Sequence, residues 1–227
     1  MENTKTKKTA KSDTDKASKI KEAYMDYVLE HGHEPPSIYQ FMKKLRMKEA
    51  TFYEHFNSFT ALQKEIWKGF FTETLQLIQS DEVYNEYSIR EKLLAFYYTW
   101  IELLQANRSY VLYCWKNTNS LERDLARNKA AFLGGFRQDF IDYANELLVE
   151  GKESNEIIDR PVVGKMYDEG LWRQLLFVLN FWVHDDSPGF EQTDAAIEKA
   201  VNLSFDIMGR GAIDAAIDLA RFLYQKR

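Results

Sequence analysis

Residues Ser37 to Leu62, SIYQFMKKLRMKEATFYEHFNSFTAL, constrain the fold of this chain more than any other stretch. Ser37 is placed to cap a short helix whose apolar residues Ile38, Phe41, Met42 and Leu45 share one stripe. After a tight connection at Leu45–Met47, Ala50, Phe52, Tyr53 and Phe56 crowd a second helix of only about two turns. Two helices this short cannot bury themselves alone and need a third laid across them. The preceding pattern Ile20, Ala23, Tyr24, Tyr27 and Val28 supplies it. Helix, helix, turn, helix is the plan of a module that sets its last helix in the major groove of DNA. It is equally the plan of a three-helix corner in a larger helical protein, and spacing alone leaves both open.

Elsewhere no segment alternates with period two. Pro35, Pro36 and Pro188, three of the four prolines, lie where helical patterns stop. The chain is therefore expected to be all-α. A net charge of −5 excludes a protein that coats nucleic acid over its whole surface, but the charge is uneven. Residues 1–62 carry 11 Lys and Arg against 9 Asp and Glu, and the remainder carries 19 against 26. A weakly basic head on an acidic body suits local contact with DNA. The polar residues 1–17 read as a disordered basic arm. No apolar run follows them, so they are not a signal peptide. The run Leu175–Val183 is too short to span a bilayer, and a cytoplasmic protein without membrane contact is expected. The one cysteine, Cys114, reads as a buried small hydrophobe.

The first helix is expected from about Ser18 to His31. His31 and His33 lack a third ligand nearby and read as structural, so no metal is expected. Ser58 is placed to open a long helix reaching about Ser80, with Leu62, Ile66, Phe70, Leu77 and Ile78 facing the core. Ser88 and Glu91 form a capping box for a helix to about Gln105. Further helices are expected at Arg108–Asn117, at Leu121–Gly151 with a break at Gly134-Gly135, from Val162 or Tyr167 to Val183, at Phe190–Met208 and at Ala212–Tyr224. The polar stretch Lys152–Arg160 reads as a loop. The helix at Leu171–Val183 is apolar nearly all round, so both faces should be covered. Its successor carries the small residues Ala195, Ala196, Ala200 and Ser204, which permit close helix approach.

The run from about Lys19 to Leu62 resembles the N-terminal domain of TetR-family transcriptional regulators. The likeness rests on His31-Gly32 closing the first helix, Ser37-Ile38 opening the second, Thr51-Phe52-Tyr53-Glu54-His55-Phe56 in the third, and Ser58 and Leu62 opening the fourth. It implies a helix-turn-helix DNA-binding domain at 18–62 joined to a helical effector-binding and dimerisation domain at 63–227. The expected activity is that of a ligand-released repressor. A ligand-binding or protein-interaction module with a vestigial head is the alternative. Partners implied are a palindromic double-stranded DNA operator, a small apolar or aromatic effector, and a second copy of the chain.

By the family pattern, Lys48 and Glu49 fall where bases are read, and Thr51, Tyr53 and His55 where phosphates are touched. Ser37 and Tyr39 stand at the phosphate-facing start of the second helix. The aromatic positions Tyr97, Trp100, Tyr110, Tyr113, Phe132, Phe136, Trp172 and Phe177 are candidates for an effector pocket. Leu171, Leu175, Val178 and Trp182 with Ala196, Ala200 and Ser204 are candidates for the dimer interface. Some residues depart from the pattern. Arg46 stands where the turn commonly has glycine, Lys48 replaces a serine cap, and Glu49 and Phe59 replace lysines.

Signatures of enzymes are missing: there is no phosphate-binding glycine loop, nucleophile elbow or metal-ligand spacing. His184-Asp185-Asp186, at a helix end before Ser-Pro-Gly, reads as a cap or interface turn. Neither catalysis nor a cofactor is expected.

Overall fold

The computed structural model describes residues 3–116, 132–160, 163–209 and 211. Among these the chain is helical with no strand. Its α-helices are α1 (Asn3–His31), α2 (Ile38–Lys44), α3 (Glu49–Tyr53), α4 (Phe59–Gln79), α5 (Ile89–Ala106), α6 (Arg108–Lys116), α7 (Arg137–Glu153), α8 (Tyr167–His184) and α9 (Glu191–Met208). Short 3-10 turns at Tyr84–Glu86, Leu133–Gly135, Val163–Met166 and Pro188–Phe190 link several of them. The pattern expected at Ala212–Tyr224, and the start of the one expected from Leu121, lie outside the described residues.

The chain divides into two compact bodies. One comprises the residues up to Phe70 and those from Ala106 to Phe136; the other comprises Phe71–Gln105 and the residues from Arg137 on. The division differs from the expected boundary after Leu62, because α6 returns to pack on α1. A boundary implied by a resemblance over Lys19–Leu62 carries no sign of a contact between residues about eighty positions apart.

In the first body, α1 opens at Asn3, where a disordered arm through residue 17 was expected. Between Asn3 and His31 there is no proline or glycine, and lysine and alanine are good helix formers. The helix therefore extends back from the part that is packed through Ile20, Tyr24, Tyr27 and Val28. Gly32, at φ 72°, ends it, with its N–H on the Val28 carbonyl at 2.9 Å. Tyr24, Phe41, Phe52 and Phe59 form an aromatic cluster, with Phe59 5.4 to 5.7 Å from each of the other three rings. A polar triangle closes its edge. The Tyr24 hydroxyl donates to Glu34 Oε1 at 2.9 Å, and Gln63 Nε2 donates to both oxygens at 2.7 and 3.0 Å. Trp67 lies 4.8 Å from Phe132, and Gly135 approaches Lys64 so closely that a Cβ would sit 2.7 Å from its carbonyl oxygen. Cys114 is buried here, as expected, and burial pushes its thiol up to about 11.

The second body packs α8 against α7 and α9. The Ser88–Glu91 capping box forms: Ser88 N–H donates to Glu91 Oε2 at 2.8 Å, and Glu91 N–H to Ser88 Oγ at 3.3 Å. Lys92, buried, pairs with Glu150 and lies over the Tyr84 ring at 5.4 Å. Buried Arg160 caps the far end of α9, donating to the carbonyls of Ile207, Met208 and Gly209 and to the Tyr167 hydroxyl. Leu77, expected in the core-facing stripe of α4, is half exposed, whereas Ile78 beside it is buried.

Candidate functional site

The turn between α2 and α3 is built as its sequence dictates. Ser37, extended at φ −157° and ψ 154°, accepts the Gln40 N–H on its hydroxyl at 3.2 Å and starts α2. Met42 O then accepts the Met47 N–H at 3.0 Å, and Lys43 O the Arg46 N–H at 3.1 Å. Arg46 adopts φ 56°, the left-handed conformation that favours glycine and costs an ordinary residue about 1 kcal/mol. Lys48 is the N-cap of α3 and makes no side-chain cap bond. The recognition helix is thus held from beneath by Phe52 and Phe56, both buried, and hardly at all by its cap.

That leaves its outer surface open. Tyr39 is 56 % exposed and Tyr53 51 %. Lys48 is exposed, Glu49 and Thr51 are partly buried, and Ser37 is partly buried as well as occupied by its cap. The structure therefore brings Tyr39, Lys48, Glu49, Thr51 and Tyr53 onto α2, α3 and the turn between them. His55 differs: its Nε2 is buried without a hydrogen-bond partner and its ring lies 6.0 Å from Phe56, so that atom is turned from solvent. Sequence reading missed a further feature. Lys43, Lys44, Arg46 and Lys48 are all exposed, putting four cations on one turn, and the run KKLRMK was the signal. Phe59, taken as a lost lysine, belongs to the aromatic cluster under α3.

In the bodies the candidates separate. Tyr97, Trp100 and Trp172 are buried in the second; Tyr110, Phe132 and Phe136 are buried in the first, with Tyr113 partly so. Burial pushes the Tyr97 hydroxyl far up, and it has no hydrogen-bond partner. Phe177 is not a pocket wall in the core: it is 49 % exposed and lines a groove of about 700 Å³ between α8 and α9. The expected dimer face needs a similar correction. Leu171, Leu175, Val178 and Trp182 are buried within the chain's own second body. The all-round apolar pattern is met on that side by neighbours from the same chain. Ala196, Ala200 and Ser204 do line the groove, with Phe177, Phe181 and Leu203.

The Asp185 turn is a cap, as read. Asp185 Oδ2 accepts the Thr193 N–H at 2.8 Å and hydroxyl at 2.6 Å, and Oδ1 accepts the Ser187 N–H at 2.9 Å. His31 and His33 bond to the carbonyls of Tyr27 and Glu34. Among the described residues no group of His, Cys, Asp or Glu could hold a metal ion, and no helix is long and apolar enough to cross a membrane.

A family model described as tetracyclin repressor-like, C-terminal domain, matches residues 92–223, more than half of the chain. The chain belongs to the TetR family. Solved structures of similar fold agree. A candidate TetR-family transcriptional regulator from Syntrophomonas wolfei str. Goettingen superposes with a TM-score of 0.62 at 15% identity, covering 86% of this chain and 95% of that one. A protein of unknown function from Rhodococcus sp. RHA1 gives 0.53 at 11% identity, over 86% and 96%. A candidate TetR-family regulator from Shewanella sp. PV-4 gives 0.52 at 18% identity, over 86% and 99%. No curated protein sequence matches the chain significantly. This TetR-family chain thus has a transcription regulator's fold, with a helix-turn-helix at its N-terminal end and a helical C-terminal part.

Proposed function

We propose that this TetR-family chain is a homodimeric repressor that grips a palindromic operator through α2 and α3 and is released by a small apolar or aromatic ligand. The carrying observation is the surface of the helix-turn-helix. Four exposed cations and two exposed tyrosines surround a recognition helix anchored only from below. Cations and hydroxyls of this kind supply phosphate contacts, while Lys48 and Glu49 at the helix start are placed for base edges. Residues 18–62 act as the DNA-binding unit, and 63–227 carry effector binding and dimerisation. In the second body, the partnerless Tyr97 hydroxyl is a buried donor that a ligand's polar atom would satisfy.

Dimerisation is assigned to the groove between α8 and α9, not to the buried leucines. A twofold interface requires one patch to supply both projecting and receding groups. Phe177 and Leu203 are large and exposed, whereas Ala195, Ala196 and Ala200 leave room for a large side chain between them. Sedimentation should show two chains at micromolar concentration and one for Ala200→Glu.

The deciding experiment is selection from a random DNA library. A working repressor should enrich an inverted repeat whose half-sites lie about one helical turn apart or a multiple of it. Tyr53→Phe should weaken binding to every sequence, whereas Lys48→Ala should relax one operator position by about 1–3 kcal/mol. Glu49, an acid in the first turn of α3, favours the second reading, a vestigial head. Glu49→Lys decides between them. It should damage specific binding in a true reader, but only add salt-sensitive, sequence-blind affinity to a vestigial head.

A further inference from the structure

We propose that Gln174 and Ser204 form a self-complementary polar pair that exchanges hydrogen bonds with the same pair of a second copy, fixing the register and partner choice of the α8/α9 interface. The inference rests on the dimer reading above.

Gln174 is only 8 % exposed, yet it lines the groove whose other walls are largely apolar. Its Oε1 accepts the Ser204 hydroxyl at 2.6 Å, across from α9 to α8. Its Nε2 is buried with no hydrogen-bond partner. A buried amide N–H left unmet is costly, and native structures rarely tolerate one unless another molecule meets it. The same patch contains what is missing. Gln174 Oε1 keeps a second lone pair after accepting from Ser204, and Ser204 Oγ keeps its acceptor sites. A second copy facing the groove brings both oxygens opposite the orphaned donor, and by symmetry each copy satisfies the other. An unrelated apolar helix would fill the groove but leave the amide unmet. A single polar group in an apolar seam is how helical interfaces select register and partner.

The other polar residues facing the groove are the exposed Arg173, Gln192 and Lys199. Being exposed, they have solvent as a partner in the single chain and carry no unmet buried donor, so they do not create the demand that Gln174 does.

The test is sedimentation equilibrium of the full chain with Gln174→Met, nearly equal in volume. If the amide acts only as groove lining, methionine makes the groove more apolar and the dimer holds as well or better. If the amide bonds across the interface, the dimer weakens about tenfold or more despite the added apolar surface. Ser204→Ala, which lets the amide swing, should give a smaller loss in the same direction, and circular dichroism checks that both variants fold. Dimers of Gln174→Met and Ser204→Ala as tight as wild type would overturn the proposal while leaving the dimer reading intact. A monomeric wild type would overturn both.

Discussion

The connections between α2 and α3 and between α8 and α9 face the same geometric demand and meet it differently. Each places an ordinary residue at positive φ, Arg46 at 56° and Phe190 at 62°. In the second, buried Asp185 gathers three donors from Ser187 and Thr193 and ties the two helices together. In the first, Lys48 makes no cap bond and α3 depends on Phe52 and Phe56 beneath it. A turn that satisfies its polar groups internally has none to offer. One that leaves its cations and tyrosines in solvent keeps them for a partner, and accepts a weaker local structure.

The comparison can be broken most directly at Phe52. Phe52→Ala should remove the more deeply buried of the two rings that anchor α3 and cost about 3–5 kcal/mol in urea unfolding. A loss under about 1 kcal/mol would mean that something other than apolar packing holds the recognition helix.

Next in size is the acid sensitivity of the other turn. Burial pushes the Asp185 carboxyl up, but the hydrogen bonds from Thr193 and Ser187 outweigh it and hold it at about 2, below its ordinary 3.8. A depressed carboxylate stabilises the fold fully above about pH 4, and that contribution fades as the pH falls from 4 toward 2. Asp185→Asn should therefore be less stable than wild type at pH 7 and show a flatter decline below pH 4. Parallel urea midpoints between pH 7 and pH 2 for the two proteins would refute the role given to this carboxylate.

The two smaller effects sharpen the contrast. Arg46→Gly should relieve the left-handed strain and stabilise the head by up to about 1 kcal/mol. Phe190→Gly should gain less, because the Phe190 ring packs 6.1 Å from Trp182 and would be lost. Lys48→Ser should add a cap to α3 worth about 0.5 kcal/mol, visible as a small rise in the midpoint of thermal unfolding. If Lys48→Ser gains nothing, the cap site is already satisfied by solvent.

What sequence could reveal was set by range. The caps at Ser37, Ser58 and Ser88 follow from chemistry within four residues and were legible, whereas the positive φ at Arg46 was signalled only by the family pattern, which commonly has glycine there. The faces of α8 were legible as apolar but not as to what covers them. A pattern of Leu171, Leu175, Val178 and Trp182 looks the same whether the cover is α7, α9 or a second chain. Arg160 reads as one more charge in a polar loop, since nothing near it announces carbonyls 47 to 49 residues away. Phe59 was read against a family pattern instead of against Tyr24, Phe41 and Phe52, the rings it meets.

The return of α6 to α1 bears on how members of this family can be recombined. Exchanging heads between relatives by cutting after residue 62 would strand Tyr110, Val111, Cys114 and Trp115, all buried in the first body, on the wrong parent. The grafted α1 would then meet a foreign α6. A chimera that carries residues 1–70 together with 106–136 transplants a complete core, and is the exchange expected to remain soluble and to keep the donor's DNA preference.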